Sequence, residues 1–314
     1  MKPTLFALLA SAAALNAATF VWDGGSGNWT DPSWNTGGAP GDSDDSDGNI
    51  DGAAADTYEI TSPGSNVGVA ARLRIDGTLT VTDSSLRADS GGNLSGIVVG
   101  DNGAASAVWT GSTITSDASG TAGRSLDLNQ GSSLVIDNST VVVTREDAPF
   151  AFDIRGAGNS VLFTNNSILN AGRIELSQGS DFTFVSGSIS LANSNSLQSN
   201  GDGFAGAFNW TGLAGAGSIV HTDLSGTSGQ QLAGKTASGY FSIDGVTISP
   251  TTAYDGSNLA ELNTELFSLS VGGRALQLSD TGSEQTLSLV NIPEPGVALL
   301  AALGCLGLAR RRRA

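Results

Sequence analysis

Apolar residues in this chain alternate with small polar ones over short runs, and each run stops at Gly, Asn, Ser or Asp. A period of two is the pattern of half-buried strands. One octapeptide returns along the middle of the chain. Its copies are Leu79-Thr-Val-Thr-Asp-Ser-Ser-Leu86, Ala107-Val-Trp-Thr-Gly-Ser-Thr-Ile114, Leu134-Val-Ile-Asp-Asn-Ser-Thr-Val141, Val161-Leu-Phe-Thr-Asn-Asn-Ser-Ile168 and Phe182-Thr-Phe-Val-Ser-Gly-Ser-Ile189. A fainter copy runs from Phe208 to Gly215. The starts lie 28, 27, 27, 21 and 26 residues apart. A second apolar unit precedes most copies: Leu73-Arg-Ile, Ile97-Val-Val, Leu126-Asp-Leu, Phe152-Asp-Ile and Ile174-Glu-Leu.

Each repeat therefore predicts two alternating strands and a short third around the final Leu, Ile or Val. A strand with one apolar face must bury it, and stacking equivalent strands of successive repeats does so. The expected fold is all-β: a right-handed parallel β-helix of five or six coils, with the repeats over residues 72–238. At ~4.8 Å per coil the rod is ~25–30 Å long. An antiparallel sandwich or roll is the alternative, although it does not require the octapeptide to return so regularly.

The flanks read differently. Residues 19–71 hold Trp22, Trp29 and Trp34 among Gly and Asp, and we expect an aromatic cap over the open end of the solenoid; a sugar-binding platform is the alternative. Over 239–291 the register changes. Phe241 to Ile248 reads as a hairpin, Asn258 to Phe267 as a short helix, and Ala275–Leu278 with Thr286–Val290 as a second hairpin around Asp280–Ser283. These form a C-terminal β cap.

Both ends carry topogenic signals. Lys2 followed by the apolar stretch Leu5–Leu15 and small residues at Ala17 and Ala18 predicts a cleaved signal peptide over 1–18. The tail, 292–313, has three parts. Pro293 and Pro295 frame Glu294 in an extended, helix-incompatible stretch. An uncharged run follows, with Val297, Leu299, Leu300, Leu303, Leu306 and Leu308 as its larger residues, and then Arg310, Arg311, Arg312 and Arg313. A helix over the apolar run is ~20 Å long, against a hydrocarbon core of ~30 Å. It suits a single, temporary transmembrane hold with the arginines on the cytoplasmic side.

This tail resembles the PEP-CTERM sorting signal of Gram-negative bacteria: Pro293, Glu294 and Pro295 match the motif and Arg310 to Arg313 the basic end. The resemblance covers residues 292–313 and implies recognition by an exosortase, a membrane cysteine protease-transpeptidase. It also implies export, a passing inner-membrane stage, and a cell-surface or exopolysaccharide-associated destination. Trp22-Asp-Gly-Gly25 and Gly27-Asn-Trp29 resemble the N-terminal edge of autotransporter-type β-helix passengers.

Charge narrows the partners. Residues 19–295 hold all 30 acids and nine of the 14 basic residues, a net 9 − 30 = −21. Such a surface disfavours nucleic acid and anionic lipid. The single cysteine, Cys305, lies in the tail, so the exported part forms no disulfide. With His221 the only histidine, histidine triads and thiol nucleophiles are excluded; His221 itself reads as an exposed loop residue. Asp42 to Asp51 resembles a D-x-D-x-D-G calcium loop, in which Asp45, Asp47 and Asp51 are the candidate ligands. Ser43 and Ala54 stand where that loop needs carboxylates, so a solvated acidic loop is the alternative and Ca2+ the one cofactor considered. Asp127, Asp153 and Glu175 occupy one slot in successive coils, with Arg155 and Arg173 close by. We expect a solvated acidic ladder on the outside; a glycoside hydrolase or lyase groove is the alternative. The expected role is non-enzymatic: a structural or adhesive surface protein, with a carbohydrate-active β-helix enzyme or a calcium- or sugar-binding module as alternatives.

Overall fold

The structure is a computed structural model that describes residues 19–22, 25–29, 49–51, 57–69, 72–90, 96–118, 126–144, 151–177, 179–200 and 207–292. The chain is a parallel β-solenoid with three sheets, in which every third strand is a hydrogen-bonded neighbour. The first sheet stacks Thr19–Val21, Thr57–Ile60, Thr78–Thr82, Ser106–Thr110, Ser133–Asp137, Ser160–Thr164, Asp181–Phe184, Phe208–Trp210 and Phe241–Ile243. The second stacks Ser26–Asn28, Asn66–Val69, Ser85–Ser90, Thr113–Ala118, Thr140–Thr144, Ser167–Ala171, Gly187–Leu191 and Gly217–His221. The third, a 7-stranded sheet, runs Asn49–Asp51, Arg72–Ile75, Ile97–Val99, Leu126–Leu128, Ala151–Ile154, Arg173–Ser177 and Leu197–Asn200. Among the described residues six rungs begin within the repeat region, as expected, and the strands from Thr19 to Asp51 and from Thr57 to Ile75 add two more before it; the first seven rungs have all three strands and the eighth has the first two.

The octapeptides stack as the repeat demands. Leu79, Ala107, Leu134, Val161, Phe182 and Phe208 are Cα partners from rung to rung, and Tyr58 and Phe241 extend the row at its ends. Two residues on, Ile60, Val81, Trp109, Ile136, Phe163, Phe184, Trp210 and Ile243 form a second inward row. Both rows are fully buried. Late rungs fill the interior with rings: Phe182 stacks on Phe208 at 4.5 Å and Phe184 meets Trp210 edge-on at 4.7 Å. The offset and edge-to-face geometries suit the ring quadrupoles.

Corners repeat a second motif. Between the first and second sheets a left-handed residue precedes a buried serine, as in Asp83-Ser84 (φ 49), Gly111-Ser112 (φ 60) and Asn138-Ser139 (φ 46). Gly, Asn and Asp tolerate that backbone best. From Ser112 on, each hydroxyl accepts the amide of the serine one rung earlier: Ser84 N to Ser112 Oγ at 3.3 Å, Ser112 N to Ser139 Oγ at 3.0 Å and Ser139 N to Ser167 Oγ at 3.1 Å. It donates in turn to a carbonyl at its own corner, Ser112 to Thr110 at 2.7 Å and Ser139 to Asp137 at 2.8 Å. The buried amides of the turns are thereby satisfied.

One corner breaks step. Asn165 and Asn166 both have positive φ, and the longer turn pairs Val141 with Leu169 rather than Ile168. A one-residue slip exchanges the faces: Leu169 is 0% exposed and Ile168 42%. The last copy departs further, since Ile219, not Gly215, pairs with Ile189.

The C-terminal hairpins and helix form where expected. Phe241–Ile243 turns back on Val246–Thr247, while Gln285–Asn291 runs antiparallel to both Gly217–His221 and Arg274–Asp280. Both sheets end in an antiparallel strand, which closes the parallel ladder. A helix that the sequence did not announce, α1 (Leu232–Ala237), places Leu232 and Ala233 in the core. The expected helix is α2 (Leu259–Ser268), whose Leu262 and Leu266 are buried. Glu265 accepts the Thr251 amide at 2.6 Å and the Thr252 amide at 2.8 Å, and these bonds hold its carboxyl at about 2.

Candidate functional site

The third sheet carries the candidate acids. Asp127, Asp153 and Glu175 are Cα partners in successive rungs, as their common slot predicts. Their environment differs from expectation. They are 3%, 0% and 2% exposed, so the ladder is buried rather than solvated. Adjacent carboxylates ~4.8 Å apart repel, and arginines offset this. Arg155 Nε donates to Asp153 Oδ2 at 2.7 Å, and its Nη2 reaches Asp127 Oδ2 at 3.5 Å. Arg173 pairs with Glu175, and Arg74, earlier in the same column, pairs with Asp101.

A recess of about 590 Å³ opens beside this column, at the corners that lead from the third sheet to the first. Asp101, Asn129, Gln130, Gly131, Arg155, Gly156 and Ala157 line it. Arg155 thus links the recess to Asp127 and Asp153. Among the lining residues Asp101 is the one carboxylate; the three laddered acids stand behind Arg155 rather than in the wall. A glycosidase needs two acids facing one bond across ~5–9.5 Å, and the recess does not present that pair. A second row of polar residues steadies these corners: Ala105 N donates to Ser132 Oγ and Ser132 N to Asn159 Oδ1, both at 2.9 Å. Asp76, buried at the neighbouring turn, accepts the Asp101 amide at 2.8 Å and the Asn102 amide at 2.9 Å.

Other sequence candidates fall elsewhere. Trp22 and Trp29 are inward residues of the first rung, each 1% exposed, so neither offers a ring face to a sugar. Trp29 lies against Tyr58 at 5.8 Å. His221 is not a loop residue. It ends the last parallel strand of the second sheet, is fully buried, and its Nε2–H donates to the Asn193 carbonyl at 2.7 Å. Burial holds its pKa below the ordinary value, against the opposing pull of the Asn193 carbonyl and Asp223.

Gln285 carried no signal in the sequence, yet it ties the C-terminal elements together. Its Oε1 accepts the Ala233 amide of α1 at 2.9 Å; its Nε2 donates to Gln231 and to Asp280, each at 2.9 Å.

Of the candidate calcium ligands, Asp51 is placed by its backbone beside Arg74 in the third sheet, and Asp45 and Asp47 lie outside the described residues. No group of three or more metal-ligating side chains occurs among the described residues. The signal peptide and the tail from Pro293 to Arg313 also lie outside them. Among the described residues no helix is long and apolar enough to cross a membrane. No family model, curated protein or solved structure matches the chain.

Proposed function

We propose that the protein is an exported structural or adhesive component of the cell surface or exopolysaccharide matrix. It is built as a right-handed parallel β-helix and sorted by an exosortase through Pro293, Glu294 and Pro295, with Arg310 to Arg313 as the basic stop. Between them, Val297 to Leu308 holds the chain transiently in the inner membrane. The observation that carries the non-enzymatic reading is the state of the acid column. Asp127, Asp153 and Glu175, the candidate acids of the alternative reading, are buried, with Arg155 against the first two and Arg173 against Glu175. A carboxylate buried against an arginine is withheld from solvent and substrate, and removing its partner would leave an uncompensated buried charge. The test is a reducing-end and unsaturated-product assay of the purified full chain over neutral and acidic polysaccharides. We expect no saturable turnover. Turnover that Asp153→Asn abolishes contradicts this reading and supports the carbohydrate-active enzyme.

A further inference from the structure

We propose that the outer face of the first sheet binds an extended, uncharged polysaccharide lying along the stacking direction of the rungs. This rests on the matrix-scaffold reading and adds the face and the chemical class of glycan. Val108, Val135 and Leu162 are Cα partners in successive rungs. They point away from the core, half-buried in the first two cases and 37% exposed at Leu162. The three form an apolar stripe on the outside of a parallel sheet. Hydroxyls flank it. Ser106, Ser133 and Ser160 align on one side, and Thr110 and Thr164 stand on the other, separated by Asp137. The Ser133 hydroxyl donates to that of Ser106 at 3.1 Å, which shows the column in step from rung to rung.

This arrangement mirrors a flat sugar chain, whose ring faces are apolar C–H surfaces and whose edges carry hydroxyls. Two rungs advance ~10 Å, about two sugar rings end to end, so the same contacts recur along such a chain. Charge selects the class. The whole chain carries a net −16, which repels anionic glycans. The strands of this face between Thr78 and Phe184 hold no Lys or Arg, and their carboxylates are Asp137 and Asp181, on opposite margins. A second copy of this chain is a poorer occupant. Stable protein interfaces bury about 800 Å² per partner around apolar or aromatic anchors, and here the stripe is narrow and without rings.

The test uses full-length protein in detergent, with microcrystalline cellulose and soluble mixed-linkage β-glucan as neutral probes and alginate as the anionic one. Binding to a neutral probe and not to alginate is expected. Val135→Asp with Leu162→Asp should weaken binding at least ~10-fold, or about 1.4 kcal/mol. Val142→Asp with Asn170→Asp, outward on the second sheet, should leave it unchanged. In case the first pair misfolds, single cysteines at Thr110 and Thr115 in a Cys305→Ala background give a second readout. Thiol labelling should slow on cellulose at Thr110→Cys and not at Thr115→Cys. Equal retention on alginate, equal loss from both faces, or equal labelling overturns the proposal, as does a face variant that turns an oligomer into monomers. Failure to bind either neutral probe also overturns it, while the scaffold reading is decided separately by tail processing.

Discussion

The backbone amide of Ser112 donates to the hydroxyl of Ser139, 3.0 Å away and one rung further on, where both residues are buried. With both residues buried, this hydroxyl is what satisfies the amide. Ser139→Ala strands the Ser112 amide, and a buried unsatisfied donor costs about 1–3 kcal/mol. Ser160→Ala, an exposed serine of the first sheet, should change stability by less than ~0.5 kcal/mol. Urea unfolding of the two variants checks this; equal effects would show that the ladder is not stabilising.

The Asn165-Asn166 turn makes a sharper prediction, because neighbours of similar hydrophobicity have opposite environments. Leu169→Ala removes a fully buried side chain and should cost about 2–5 kcal/mol. Ile168→Ala, at an exposed position, should stay within ~0.5 kcal/mol. Reversed magnitudes would mean that this rung keeps the register of its neighbours.

His221 makes stability depend on pH. Burial lowers its folded pKa below 6.5, so the unfolded chain takes up a proton more readily than the fold does. Its contribution is complete above 6.5 and is lost as pH falls from 6.5 through the lowered folded value. Glu265, held at about 2, titrates well below that window. Melting temperatures taken from about pH 7.5 to 5 should fall in the native protein. In His221→Gln, which keeps a donor for the Asn193 carbonyl, the slope should be shallower. Parallel slopes would assign the acid sensitivity to other groups.

Much of the solenoid was legible in the sequence, because alternation and repetition are local. The octapeptide starts from Leu79 to Phe208 stand in register, and the acid slot aligns as read. What escaped is set by distant parts of the chain. Ile168 and Ile189 both end eight-residue copies, and the slip shows only in the stacking: Leu169, not Ile168, pairs with Val141 and with Ile189, because the turn after Phe163 holds one residue more than the turn after Phe184. Asp127, Asp153 and Glu175 read as solvated because a strand pattern gives the side of the sheet, not what covers it. His221 is followed by Thr222 and Asp223 in sequence but lies beside Leu191 and Gln285 in space. The short α1 falls below the length at which helical periodicity is visible, and its N-terminus is held by Gln285, 52 residues away from Ala233.

The central claim is that this acidic solenoid is delivered to the surface by its tail. The most direct measurement is the intact mass of the exported product from hosts with and without an active exosortase. We expect loss of the segment after Pro295 in the host that has the enzyme and its retention in the host that lacks it. A product that still ends at Ala314 in both hosts would contradict the sorting claim and leave the tail as a weak membrane anchor.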